Sequence, residues 1–152
     1  TLKLWIVGQG QAQNRAGGEA GRELTAEGRQ QVRSSARHLE GRALQRILVS
    51  PCIRAQQTAD VVQGVLSADI PRVTVDWLTP DIRPDEALRQ IAALALDEVL
   101  LVSHQPLVGS LIGLLVHGSV QDAEPMNTAS LAELDGEFVL AGGLQLRSIR
   151  HV

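Results

Sequence analysis

Ile47-Leu48-Val49-Ser50-Pro51-Cys52-Ile53-Arg54 is an apolar triplet that stops at a polar, proline-bearing cluster, and the same pattern occurs twice more. Leu2-Lys3-Leu4-Trp5-Ile6-Val7 stops at Gly8-Gln9-Gly10, and Val99-Leu100-Leu101-Val102 stops at Ser103-His104-Gln105-Pro106. Short apolar runs of this kind suit strands buried on both faces of a parallel sheet. The carboxyl ends of such neighbours converge, so the three clusters are expected to meet in the crevice where open α/β sheets bind ligands. Arg54 and His104 would stand there as the equipment for an anionic group.

Working outward, strands and helices alternate. Gly8 to Arg22 is rich in Gly, Gln and Asn, lacks a periodic apolar face and reads as a long loop. Thr25 is a candidate N-cap for a helix to about Leu39, with Val32, Ala36 and Leu39 inward and a stop near Gly41. Ser50-Pro51 reads as cap and first-turn proline of a helix reaching about Leu66. Val73 and Val75 mark a third strand, and 77–83 a loop. Pro84 opens a helix to about Leu96, Val99–Val102 is the fourth strand, and Pro106 opens an apolar helix ending near Gly118. Ala129–Leu134 and Glu137–Leu146 read as a terminal hairpin turning through Asp135-Gly136. This order predicts an α/β three-layer sandwich: a mostly parallel central sheet with helices on both faces and a C-terminal antiparallel hairpin.

The bulk properties bound the function. With 152 residues and 44% hydrophobic content, 1–152 is expected to form a single domain with a real core. A net charge of -3 gives no basic footprint for nucleic acid. No apolar run approaches the ~20 residues of a membrane span, and the first run has no basic leader, so a cytoplasmic protein is expected. The lone Cys52 rules out an intramolecular disulfide and a cysteine-based zinc cluster. Aromatic content of 2% leaves few platforms for stacking bases or sugars.

Ser50-Pro51-Cys52-Ile53-Arg54-Ala55-Gln56-Gln57-Thr58-Ala59 resembles the SPxxRAxQTA segment of the histidine phosphatase superfamily. Val102-Ser103-His104-Gln105-Pro106-Leu107-Val108-Gly109 resembles its second-histidine segment. Leu24-Thr25 with Gly28, Leu78-Thr79-Pro80, and Met126-Asn127-Thr128-Ala129-Ser130 fit the small SixA-type phosphohistidine phosphatase branch. The resemblance implies a phosphoglycerate mutase-like fold, no cofactor and no metal, and a phosphohistidine protein or small phosphate-containing ligand as partner. A monomer is expected, although nothing in the sequence reports the oligomeric state. Family members carry Arg-His-Gly after the first strand, with that histidine as nucleophile; the same slots here hold Gly8-Gln9-Gly10.

In the family the first histidine attacks phosphorus while two arginines and a second histidine hold the phosphoryl oxygens. The Gln9 amide nitrogen is not nucleophilic, since its lone pair is delocalised into the carbonyl, and Gly8 removes one guanidinium clamp. The resemblance therefore leaves His104 and Arg54 as catalytic residues, and Arg54, His104, Gln9 and Ser50 as phosphate-binding ones. Each also has a plainer reading. Arg54 alone would be a helix-surface arginine, His104 a strand-end histidine, Gln9 a loop residue, and Ser50 and Thr25 caps. Asp81 and Glu86 are acids near the crevice, although a carboxylate at a helix start is favoured anyway. The expected function is a SixA-like phosphatase with impaired or lost hydrolysis. Its rivals are a non-catalytic phosphate-binding pseudophosphatase and, since Gly8-Gln9-Gly10 follows a strand, a dinucleotide-binding module whose third glycine slot is Gln13.

Overall fold

A computed structural model of the chain describes residues 1–13 and 22–152. The centre of the expected Gly8–Arg22 loop, 14–21, thus lies outside the described residues. Six strands, β1 (Leu2–Gly8), β2 (Arg46–Val49), β3 (Arg72–Thr74), β4 (Glu98–Ser103), β5 (Leu131–Gly136) and β6 (Gln145–Arg150), form one sheet in the order β3-β2-β4-β1-β5-β6. The first four run parallel; β5 is antiparallel to β1, and β6 to β5. Among the described residues four α-helices pack on the sheet, α1 (Ala26–Ala36), α2 (Ile53–Leu66), α3 (Pro84–Ala92) and α4 (Leu107–His117).

The apolar runs build two cores, because alternate strand residues face opposite ways. Trp5 and Val7 join Ile47, Val49, Leu100 and Val102 against α1 and α2. Leu4 and Ile6 join Leu48, Val99 and Leu101 against α3 and α4. A one-residue slip of β1 would exchange these faces, so its register is fixed by both cores together. The three-layer sandwich with a parallel centre is as expected.

Several boundaries differ from the sequence expectation. Thr25 does cap α1, its Oγ1 accepting from Gly28 N at 2.9 Å. Ser50-Pro51 does not start α2; the helix begins at Ile53 with Cys52 as its N-cap, and the Ser50 hydroxyl lies against His104 Nε2 and accepts from Cys52 N. Helix α3 stops at Ala92 rather than near Leu96, although Leu94 and Leu96 still pack on the same core. The terminal turn is also displaced. Asp135 and Gly136 continue β5, paired with Lys3 and Leu2, and the chain reverses over 137–144, where Gly142 adopts φ +73.

Candidate functional site

The ladder between β1 and β4 closes with Gly8 opposite Ser103, and Gln9 N then donates to Ser103 O at 2.9 Å. Gln9 and His104 therefore leave the sheet side by side. From the other side of β4, Ser50 N donates to Val102 O at 3.0 Å, and the first turn of α2 carries Arg54 to the same strand ends. A cavity of about 160 Å³ opens there, lined by Gly8, Gln9, Arg22, Arg54, His104, Gln105 and the 126–128 loop. Another depression, of about 440 Å³ at the opposite strand ends beside Leu2, Asp97 and Phe138, has no lysine, arginine, histidine or cysteine in its lining.

One atom organises the site. Gln9 Oε1 accepts from Arg54 Nε at 2.8 Å and from His104 Nδ1. The guanidinium Nε only donates, so the amide must present its oxygen, and His104 Nδ1 must then carry a proton. The far ring nitrogen, Nε2, lies 2.7 Å from Ser50 Oγ, from which it accepts when the ring is neutral. Arg54 and His104 are each only 2% exposed, so these contacts form in a setting where hydrogen bonds are strengthened.

Of the residues expected at the site, Gly8, Gln9, Arg54 and His104 are brought together. Ser50 is not in the cavity wall: it is fully buried and holds His104 from behind. Gln9 presents its oxygen, and not its NH2 group, to Arg54 and His104. Gly10 packs its Cα against α1, where a Cβ would meet Gly28 O at 2.6 Å. That close approach, with α1 starting only at Ala26, is unlike a phosphate-cradling dinucleotide loop. Asp81 and Glu86 do not line the cavity; they bond Thr79 and Arg89. Sequence reasoning missed Arg22, whose signal was its place three residues before the Thr25 cap, and singled out Met126-Asn127-Thr128 by resemblance without assigning it to the site. Among the described residues no group of three or more His, Cys, Asp and Glu could hold a metal ion.

Residues 5–78 match the histidine phosphatase superfamily (branch 1). The chain is 33% identical over 134 residues to phosphohistidine phosphatase SixA of Escherichia coli (strain K12), covering 85% of this chain and 81% of that protein. The chain belongs to the SixA family of histidine phosphatases. It is 29% identical to the phosphohistidine phosphatase SixA homolog of Haemophilus influenzae, over 73% of this chain and 75% of that one. A solved structure of the protein histidine phosphatase SixA complexed with tungstate superposes with a TM-score of 0.89 at 27% identity, covering 99% and 97% of the two chains. The six-stranded sheet is thus a SixA-type, phosphoglycerate mutase-like fold.

Proposed function

We propose that residues 1–152 form one histidine-phosphatase-like domain that recognises the phosphoryl group of a phosphohistidine protein and hydrolyses it poorly or not at all. Gln9 stands in the nucleophile's slot and Gly8 in that of the first arginine. The observation that carries this reading is the Gln9 oxygen, held by Arg54 Nε at 2.8 Å and by His104 Nδ1. Those two donors point at one oxygen atom, the geometry needed for a phosphoryl oxygen, while the group delivering that oxygen cannot attack phosphorus. A retained anion site without a nucleophile favours recognition, in the manner of a regulatory pseudophosphatase, over turnover. Binding and positioning alone would supply any residual rate. A cytoplasmic location and a phosphorylated protein partner belong to the same reading, and among the described residues no helix is long and apolar enough to cross a membrane.

The test compares the original chain, Gln9→His, and Gln9→His with Gly8→Arg in a phosphohistidine hydrolysis assay. Position 8 accepts a side chain at its root: a Cβ there meets only Asn127 O at 3.5 Å, and Gly8 is not among the positive-φ glycines. Turnover is expected to be negligible in the first, partial in the second and robust in the third. Comparable robust turnover in all three means that another group attacks phosphorus.

A further inference from the structure

We infer that Gln105 is a positioning residue of the phosphoryl site: its carboxamide ties the 126–128 wall to the first turn of α4 and so presets the cavity beside Gln9 and His104. The inference rests on the cavity being an anion site, as proposed above. Gln105 follows His104 directly and lines the cavity with it, together with Met126, Asn127 and Thr128. Both ends of its carboxamide are used. Gln105 Oε1 accepts from Gly109 N at 2.9 Å, and Gln105 Nε2 donates to Met126 O at 3.0 Å. A backbone N–H only donates and a carbonyl only accepts, so the two partners fix which end is oxygen, and a flipped amide would lose both bonds.

The route of the chain shows what the tie does. Glycine at 109 and 113 lets the segment before the wall lie against α4: a Cβ at either position would come within 2.6 Å of Glu124 O or Asp122 O, and Glu124 N donates to Gly109 O at 3.1 Å. The Gln105 carboxamide uses the same space, its Oε1 lying 3.0 Å from where a Cβ at 109 would be. Met126 then follows Pro125, its side chain packed in the core shared with α3 and α4. At the far end of the wall Ala129 N donates to Gln9 O at 2.9 Å, Ser130 N donates to Asn127 O at 3.0 Å, and Ser35 Oγ donates to Ala129 O. Ala129 has φ +60, a conformation that costs free energy in a residue with a Cβ and is held by these bonds. The trailing end of the wall is thus referenced to Gln9. Its leading end is referenced through Gln105 to α4, whose first turn starts from His104, since His104 O accepts from Val108 N at 2.9 Å. A wall held in place before the ligand arrives does not have to be ordered on binding.

Gln105 also caps α4, and two variants separate that role from positioning. In Gln105→Glu at pH 8 the side chain, with an ordinary pKa of about 4.3, is ionised; it still accepts from Gly109 N at a helix start that favours negative charge, but it turns an acceptor onto Met126 O. Gln105→Leu removes both bonds without adding charge. Met126 is the one methionine of the chain, so a methionine labelled with carbon-13 at its methyl group gives the wall its own NMR signal. That signal should shift or broaden in both variants. Tungstate affinity, by titration calorimetry, should fall about 3- to 10-fold in Gln105→Leu, the value of one net hydrogen bond. Thermal melting accompanies each variant, and if Gln105→Leu melts early, Gln105→Glu carries the methyl test with the cap intact. An original Met126 signal in Gln105→Glu overturns the inference and leaves Gln105 a helix cap. Unchanged tungstate affinity in folded Gln105→Leu, with Arg54→Ala abolishing binding, also overturns it and leaves the anion site standing. No tungstate binding by the original chain, or none of it lost in Arg54→Ala, removes the anion site itself and this role with it.

Discussion

Replacing Gln9 by alanine should tighten oxyanion binding while loosening the fold. In the unliganded protein the Gln9 oxygen accepts one bond from a charged donor, Arg54 Nε, and one from His104 Nδ1. Bonds involving a charged group are worth about 1.5–3 kcal/mol and neutral ones about 1 kcal/mol. An arriving oxyanion must take both donors from the amide, so removing the amide removes that competition. Allowing for water in the truncated site, the gain is about 1–2 kcal/mol, or roughly 5- to 30-fold tighter binding. Folding moves the other way, because Arg54 and His104 each lose an acceptor inside a buried cluster. A loss of about 2 kcal/mol corresponds to a melting temperature lower by roughly 4–8 °C in a chain of this size. Calorimetric titration with tungstate gives the first quantity, and thermal melting with and without tungstate the second. The anion should restore the melting temperature by mass action, about 2.7 kcal/mol at a hundredfold excess over Kd. Weaker binding in Gln9→Ala than in the original chain would refute the reasoning, since the carboxamide would then be a ligand and not a competitor.

Two further outcomes follow from packing and charge. Gly28→Ala should destabilise by about 1–3 kcal/mol in chemical denaturation, since its Cβ would lie 2.1 Å from Gln11 O; helix propensity alone gives the opposite sign, and Gly8→Ala should be near neutral. Burial pushes the Asp135 carboxyl up, but hydrogen bonds from Arg147 and Lys3 outweigh it and leave the pKa below its ordinary value. Its contribution, under about 1 kcal/mol for so accessible a cluster, is complete above the ordinary carboxylate pKa of about 3.9 and lost as pH falls through the lower folded value. Denaturation at pH 7, 5 and 3 should therefore show Asp135→Asn flattening only the step from 5 to 3, and an equal effect from 7 to 5 would contradict the assignment.

The strand ends were legible in the sequence because β1, β2 and β4 are buried on both faces, which forces uninterrupted apolar runs that stop where the sheet stops. The hairpin turn was not: Asp135-Gly136 is a good turn dipeptide, yet Asp135 pairs across β1 and β6 and is tied to Lys3 and Arg147, and tertiary pairing overrode local preference. The alanine- and leucine-rich 92–96 stretch is apolar enough to continue α3, and nothing in its composition marks the stop at Ala92. Arg54 and His104 were readable through their motifs. Ser50 was misread as a cap because the competing partner, His104, lies 54 residues away. The orientation of Gln9 and the presence of Arg22 in the cavity wall depend on contacts between distant segments, which no local pattern records.

The last rung of the β1–β4 ladder joins Gly8 to Ser103, so Gln9 and His104 sit one step past the sheet, where neither core volume nor strand pairing depends on their side chains. The sheet and its two cores are consequently separable from the identity of the tip residues, which act on stability only through their own hydrogen-bonded cluster. On the proposed reading, a silent form and an active form of this protein would be near neighbours in sequence space, differing at Gly8 on the last rung and at Gln9 just past it. A lineage that had lost the reaction this way could regain it without rebuilding anything, provided the segments bearing Arg54 and His104 had not drifted in the meantime.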